Sequence, residues 1–505
     1  MKVSLSLVTL AMAIVAQAAP SYMIFDVGVA VPTDANSQGF RISGNGQATG
    51  RSLASTSARA FSWTSSGGTV GLPLSTSPAR SYCVGNGINN AGVVAGTGAT
   101  TSFGSSRIPL LWTGGVLSAI TLPAGQTLGD ATDINDSGLV VGSVNSGSLQ
   151  RAAFYVGGVG NVLSANTPEG WGWTTGFAVN NAGIMVGSGR DGNNAAVTLG
   201  LMYDTNTDVT TNVGALTGIG HNSAICFDIS ENGVVVGSSS LNSGSGGRPF
   251  KWDAVNGMTE IPMPTGASSA IARGVNSAGW IVGIGSSAFA LPFVYDGTNT
   301  YRLGDLLVNP AGWDLLTNTS SSAMSISESG WICGTGIRGT AVRAYVAIPA
   351  TPISGVVELQ DHANDVGKTV AWELKNGATV VDSGTTTLGT GGSYNIGTIK
   401  TGNLDLRMKA RTWIGATLIG LNVDGTAISS ANLSLKNGDV NGDNIVDIAD
   451  YSYLAGAFDL DASAPNWLTA DGNGIRPVDS DLNGDTNVDI ADYTILAMNF
   501  DAVGD

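Results

Sequence analysis

The chain has 505 residues, 43% of them apolar and 12% charged, with 72 glycines and a net charge of −16. The length predicts two to four domains, and the apolar fraction is enough to fill their cores. No basic face is available to neutralise phosphates, which excludes an ordinary nucleic-acid binder. Low charge, abundant Gly, Ser and Thr, and recurring V-V-G tripeptides predict a mainly β protein of short strands and tight turns.

Residues 1–18, MKVSLSLVTLAMAIVAQA, combine Lys2, an apolar run from Val3 to Val15, and the small-x-small triplet Ala16-Gln17-Ala18. This is the layout of a secretory signal peptide, and the run is short for a bilayer span and lacks a basic stop-transfer flank. The expectation is an exported protein, extracellular or at the cell surface, with no transmembrane segment. Cys83, Cys226 and Cys333 are too sparse for a disulfide-stapled domain. Cys333 stands where other copies of a repeat carry Val or Ala, so it reads as a small buried hydrophobe, and a Cys83–Cys226 bridge stays open.

The repeat is a decapeptide. It runs RISGNGQATG (41–50), GINNAGVVAG (87–96), DINDSGLVVG (133–142), AVNNAGIMVG (178–187), DISENGVVVG (228–237), GVNSAGWIVG (274–283) and SISESGWICG (325–334). The aligned glycines 46, 92, 138, 183, 233, 279 and 330 lie 45 to 51 residues apart. In each copy an apolar residue leads into a turn whose Asn or Ser can cap backbone N–H groups, and whose Gly accepts φ > 0. A short apolar strand follows. Next comes a strand with an aromatic, as in ARAFSW (58–63), RIPLLW (107–112) and RPFKWD (248–253), and then a fourth strand such as AITLP (119–123) or TEIPM (259–263).

Four strands per unit at this period is the signature of propeller blades. Seven copies predict a seven-bladed β-propeller over 19–350. SYMIFDVG (21–28) reads as a fourth strand with no blade before it, and the last unit stops short of its own at 349. The first can complete the last and remove two open edges. The cores V/I-N-x-x-G-x-V-V-G followed by R-A-F-x-W resemble the extracellular HAF repeat family over about 21–349. That resemblance implies export and repetition and no particular activity.

Residues 351–436 break the period. The alternating stretches 354–359, 368–374, 392–399, 403–410 and 416–423 predict a small immunoglobulin-like or transthyretin-like β-sandwich. Trp413 follows a basic strand carrying Arg407, Lys409 and Arg411, and reads as packing at the sandwich end, with a sugar platform as the sharper alternative.

From Asn437 onward fourteen Asp face one Arg, a balance of −13 that leaves −3 for the rest of the chain. DVNGDNIVDIAD (439–450) and DLNGDTNVDIAD (481–492) are two copies of one loop. Oxygen-bearing side chains fall at loop positions 1, 3, 5, 9 and 12: Asp439, Asn441, Asp443, Asp447 and Asp450, then Asp481, Asn483, Asp485, Asp489 and Asp492. Position 7 offers a backbone carbonyl, from Ile445 or Asn487. This spacing folds hard oxygens round a Ca2+ ion, one per loop, as in an EF-hand. Helical stripes follow: Ile448, Tyr451, Leu454 and Phe458, then Ile490, Tyr493, Leu496 and Phe500, expected to pack together about a pseudo-twofold.

The duplicated loop-plus-helix resembles a type I dockerin over 437–505. It departs from the family at position 6, where Asn444 and Thr486 replace the usual Gly, and in the wider separation of its copies. The resemblance implies docking to a cohesin-like partner through Ile448-Ala449 and Ile490-Ala491. A calcium-stapled cap without a partner is the alternative.

His221 and His362, the two histidines, fall in different predicted domains, and no nucleophile elbow, phosphate loop or zinc motif is present. Asp130, Asp133, Asp228 and Glu260 are formal acid–base candidates at a propeller mouth. Trp171, Trp173 and Trp313 are candidate ligand platforms. The expected whole is a secreted, non-catalytic binding protein whose propeller recognises a polysaccharide or protein. An extracellular polysaccharide hydrolase or lyase, and a structural surface protein, are the rival readings.

Overall fold

The computed structural model describes residues 19–101, 106–147, 149–163, 167, 169–242, 244, 246–362 and 364–505. The expected signal sequence lies outside these residues. Each decapeptide forms the hairpin between the first two strands of an antiparallel meander. In the third repeat the strands are Leu128–Ile134, Val140–Ser146, Leu149–Val156 and Val159–Val162, hydrogen-bonded in that order. The third to sixth repeats are separate four-stranded sheets, and the first two are joined into one sheet by a single parallel pair, Ala58–Tyr82. The seventh holds Ser322–Ile326, Ile332–Arg338 and Ala341–Pro349, and Tyr22–Gly28 pairs antiparallel along its last strand. The fourth strands are Val116–Ala119 and Gly257–Glu260, earlier than the expected 119–123 and 259–263. In the second repeat Gly114 and Gly115 both take positive φ, closing the hairpin in two residues.

The turn chemistry explains the copied Asn. The Oδ1 of Asn135 accepts from the N–H of Leu139 at 2.9 Å, holding its own turn, and its Nδ2 donates to the Asn180 carbonyl of the next repeat at 2.9 Å. Asn89, Asn180 and Asn276 likewise reach the carbonyls of Asn135, Ser230 and Ser327, each at 3.1 Å. Ser43, Ser230 and Ser327 cap their own turns with Oγ at 2.9 to 3.0 Å. A second belt runs outside the first: the N–H groups of Asn90, Asp136 and Asn181 donate to Asp136, Asn181 and Glu231, each at 2.8 Å.

The paired valines explain the strand. Val140 clusters with Ala95 and Ile120 of the preceding repeat, and Val141 with Val179 and Met185 of the following one. Both are buried, and consecutive strand residues face opposite sides. Each such burial contributes about 1.5–3 kcal/mol, and together they stack sheet on sheet. The series returns on itself. The inner strand Asn36–Ile42 packs on the strands of the seventh repeat, where Asn36 Oδ1 and Ser37 Oγ accept from the N–H groups of Val342 and Ala344, both at 3.0 Å. The arrangement is propeller-like.

Residues Thr351–Leu435 form two facing sheets, of three and four strands, round one core. Two strands were not anticipated: Thr379–Thr387 and Leu433–Leu435. The first is largely exposed and rich in Thr, Ser and Gly, so its apolar alternation is weak. Two helices end the chain, α1 (Ile448–Ala457) and α2 (Ile490–Met498). All three cysteines are free and buried, so the Cys83–Cys226 bridge left open above does not form.

Asn135→Ala is expected to lower stability by about 1–3 kcal/mol, since it uncaps one turn and strands a buried carbonyl in the next repeat. Urea unfolding of the full chain checks this, with Ser230→Ala, which reaches no neighbour, costing less.

Candidate functional site

Every inner strand of the seven repeats carries a β-bulge, and it falls at the same place. The extra residues are Phe40, Asn86, Thr132 and Phe177 in the first four repeats, and Phe227, Arg273 and Met324 in the last three. Each stands six positions before the turn glycine. The glycine that ends each decapeptide is what admits the bulge. A Cβ on Gly50, Gly96, Gly142, Gly187, Gly237, Gly283 or Gly334 would overlap the carbonyl oxygen two residues before the bulged residue. Bulges re-aim side chains. Here all seven line one cavity of about 530 Å³ at the centre of the repeats.

The next residue along each strand forms a second layer: Arg41, Gly87, Asp133, Ala178, Asp228, Gly274 and Ser325. The guanidinium of Arg41 lies 2.8 Å from Asp133 and 2.8 Å from Asp228, so one cation bridges repeats one, three and five. The carboxylates also accept from the N–H groups of Val179 (3.1 Å) and Val275 (3.0 Å). Burial, with the nearby charge of Asp228, pushes Asp133 up to about 6 against the pull of Arg41. Arg41 lines both the large cavity and a smaller one of about 120 Å³ on the turn side, and separates them.

The acid–base candidates fare accordingly. Asp130 lines the large cavity but pairs with Arg107 at 2.9 Å, though burial still lifts it above the usual carboxylate range. Asp133 and Asp228 are tied to Arg41. Glu260 lies on a fourth strand, remote from the cavity-lining inner strands, with Arg248 3.7 Å away. The aromatic candidates are packing residues. Trp173 is buried edge-on to Tyr203 at 6.3 Å, Trp171 packs against the same cluster, and Trp313 stands edge-on to Tyr345 at 6.0 Å. Trp413 is buried in the sandwich core, donating from Nε1 to the Gln360 carbonyl at 3.2 Å.

The acidic loops form twin turns. Asn444 and Thr486 both take the left-handed conformation, with φ of +75° and +76°, that position 6 requires. Asp450 accepts from the N–H groups of Asn441 and Asp447, and Asp492 from those of Leu482, Asn483 and Asp489. Asp447 and Asp489 cap α1 and α2. The third and fifth residues, Asn441 with Asp443 and Asn483 with Asp485, bond each other at 2.9 Å. Among the described residues no three acidic groups stand close enough to chelate an ion unaided. The donor set nevertheless suits a hard cation. Oδ1 of Asp439 is buried without a hydrogen-bond partner among the described residues. Burial lifts Asp450, Asp481 and Asp492 above the usual range, and neighbouring loop carboxylates add to it.

The basic strand of the sandwich meets this acid. Lys409 Nζ donates to Asp439 Oδ2 at 2.6 Å, Arg411 grips Asp479 bidentately at 2.6 and 2.7 Å, and Arg407 donates to the Asp505 backbone carbonyl at 2.6 Å. Ile414 of the sandwich is buried in the terminal core.

The helical stripes do not bury as expected. Leu454, Ile495 and Leu496 enter the core, but Ile448 and Ile490 are 64% and 65% exposed, and Phe458 and Phe500 are exposed too. Tyr451 and Tyr493 meet across the pseudo-twofold, ring centroids 5.9 Å apart, and Leu454 and Leu496 share one buried cluster. Ala449 and Ala491 stand beside the exposed isoleucines in the first helical turns.

No family model matches the chain, and no curated protein matches it. Among solved structures it is similar to a type II cohesin–X-dockerin complex from Acetivibrio cellulolyticus, at 17% identity and a TM-score of 0.25, over 30% of this chain and 97% of that one. It is similar to TolB from Acinetobacter baumannii (11%, TM-score 0.35, 52% of this chain and 62% of that one). Trypanosoma rangeli sialidase in complex with sialic acid is a third (11%, TM-score 0.31, 83% and 89%). No helix among the described residues is long and apolar enough to cross a membrane.

Arg41→Met leaves two buried carboxylates without their cation and is expected to cost about 3–5 kcal/mol at pH 7.5. Asp133 has its folded pKa raised above its unfolded value, so this group favours folding as pH falls through 6. The penalty should therefore shrink at pH 5, as read by chemical denaturation at both pH values.

Proposed function

We propose that the chain is a secreted, non-catalytic recognition protein. Its repeats (19–350) are the blades of a closed seven-bladed β-propeller that engages a polysaccharide or protein ligand. The sandwich (351–436) supports a dockerin (437–505) that binds two calcium ions and docks to a cohesin-like partner. The ions would be held by Asp439, Asn441, Asp443, Asp447, Asp450 and the Ile445 carbonyl, and by Asp481, Asn483, Asp485, Asp489, Asp492 and the Asn487 carbonyl. Bound calcium would supply the positive charge that lets these carboxylates ionise together.

The observation that carries the docking role is the twin exposure of Ile448 and Ile490 at the starts of α1 and α2. Two large apolar side chains left in water at equivalent places, each beside a small alanine, offer a partner two matching apolar contacts. Against catalysis by paired carboxylates stands the neutralisation of Asp130, Asp133 and Asp228 by arginines. A general acid and base at this mouth would each have to be freed from an ion pair first.

In the full-length protein, calcium at about a hundredfold over its dissociation constant should stabilise the terminal module by about 2.7 kcal/mol, and chelation should reverse this. A scanning calorimetry trace unchanged by chelator would sink the calcium assignment. Ile448→Arg combined with Ile490→Arg should abolish calcium-dependent binding to a panel of type I and type II cohesins while leaving calcium stabilisation intact. Absence of cohesin binding by the unaltered protein would leave a calcium-stapled cap in place of a docking module.

A further inference from the structure

The seven bulged residues differ in kind from repeat to repeat. Around them the sequence repeats itself: a small residue before (Gly39, Gly85, Ala131, Gly176, Cys226, Ala272, Ala323) and an apolar residue two positions after. At the bulge the chain instead presents three Phe, one Met, one Asn, one Thr and one Arg. A residue that served only to pad the channel would suit any of the small or apolar types that surround it. Five residue types at one register position fit a surface shaped for something that enters it.

The charges in that cavity are not all paired. Arg41 is held by Asp133 and Asp228, and Arg107 by Asp130. Arg273 has no carboxylate partner among the described residues, and its Nε is buried without a hydrogen bond. Its guanidinium lies 4.1 Å from the ring centroid of Phe227, which itself stands 5.3 Å from Phe177. Burial alone acts on Arg273 and draws its pKa downward; no anion opposes it. A half-buried guanidinium with its Nε–H shut away from both water and a partner is costly, and an incoming anion would relieve it. The cation–π contact holds the guanidinium in place without satisfying its donors.

We infer that this collar is a binding site for a ligand bearing one carboxylate beside a flat ring face. The carboxylate would pair with Arg273, the ring would lie along Phe40, Phe177 and Phe227, and Asn86 and Thr132 across the channel offer polar contacts to ring substituents. About 530 Å³ is within the range of small-molecule sites, roughly 300–1,000 Å³, and holds a single ring with its substituents. Arg273, the cavity-lining arginine without a carboxylate partner among the described residues, sets the place of one negative charge. This deepens the recognition role proposed for the repeats and rests on their closing round one channel.

Calorimetry and ligand-observed NMR on the full chain, with D-glucuronate and benzoate against their neutral counterparts D-glucose and benzamide, test the site. At least one acid should bind tenfold or more tightly than its neutral partner, and which acid does so separates a sugar acid from an aromatic one. Arg273→Met should remove that preference while leaving the melting temperature unchanged or higher. A lower melting temperature would make Arg273 a structural member of the wall and overturn the proposal. Equal binding of acid and neutral probes would overturn the carboxylate assignment and leave the propeller as a recognition domain. Failure of all four probes with cohesin docking intact would overturn the site and leave the docking role standing.

Discussion

One backbone contact organises the repeats: the last glycine of each decapeptide lies under a carbonyl of the bulged strand beside it. Any side chain there would collide with that oxygen. The glycine makes the bulge possible, and the bulge turns one residue per repeat toward the centre while its neighbours keep their alternation into the sheet core. Had the strands been regular, the period-2 rule would have placed those side chains between sheets, and the channel would be lined by whatever small residues came next. The remaining features of the decapeptide work around this constraint. Asn or Ser closes the turn, Gly at positive φ completes it, and two apolar residues bind the sheet to its neighbours on either side.

Much of this was legible in the sequence, and the limits are instructive. The period, the turn chemistry and the buried V-V pair follow from residue types that admit few alternatives. The bulge was out of frame. Starting each repeat at the residue five before the turn glycine leaves Phe40, Arg273 and their equivalents outside the copied stretch, where their variety looks like the beginning of a loop. A variable residue flanked by an obligatory small one was the available signal. Trp171, Trp173 and Trp313 misled for a related reason. Glycine-rich surroundings suggested exposure, whereas glycines beside a tryptophan are also how a sheet makes room to bury one, as with Gly336, whose Cβ would press on the Trp313 ring.

The terminal acid shows the same limit in electrostatic form. Fourteen aspartates in 69 residues require compensation by a cation or a basic partner, and the loop spacing points to calcium. Part of it is covalently present, in Arg407, Lys409 and Arg411 one sheet away, which pairing distances of 2.6 Å bring onto the module. Alternate strand residues share a face, so those three cations were always destined for one surface. What sequence could not supply was which surface they would meet. Lys409 stands on the first carboxylate of the first loop, so that loop and the sandwich compete for Asp439 in a way the second loop, free of any lysine, does not.

The two ends of the molecule thus handle buried charge by opposite means. In the channel, Asp133 and Asp228 are fixed to Arg41 across repeats that are far apart in sequence, and the bridge ties those repeats together from within and stands between the two cavities. A carboxylate so committed is a poor proton carrier, which is why acids at the centre of the repeats do not by themselves make an enzyme. In the terminal loops the carboxylates accept from backbone N–H groups and loop asparagines, and Asp439 also holds Lys409, a weaker arrangement that an ion of higher charge can displace. In the channel Arg273 has no carboxylate partner among the described residues, while in the tail most loop acids have no cation partner there.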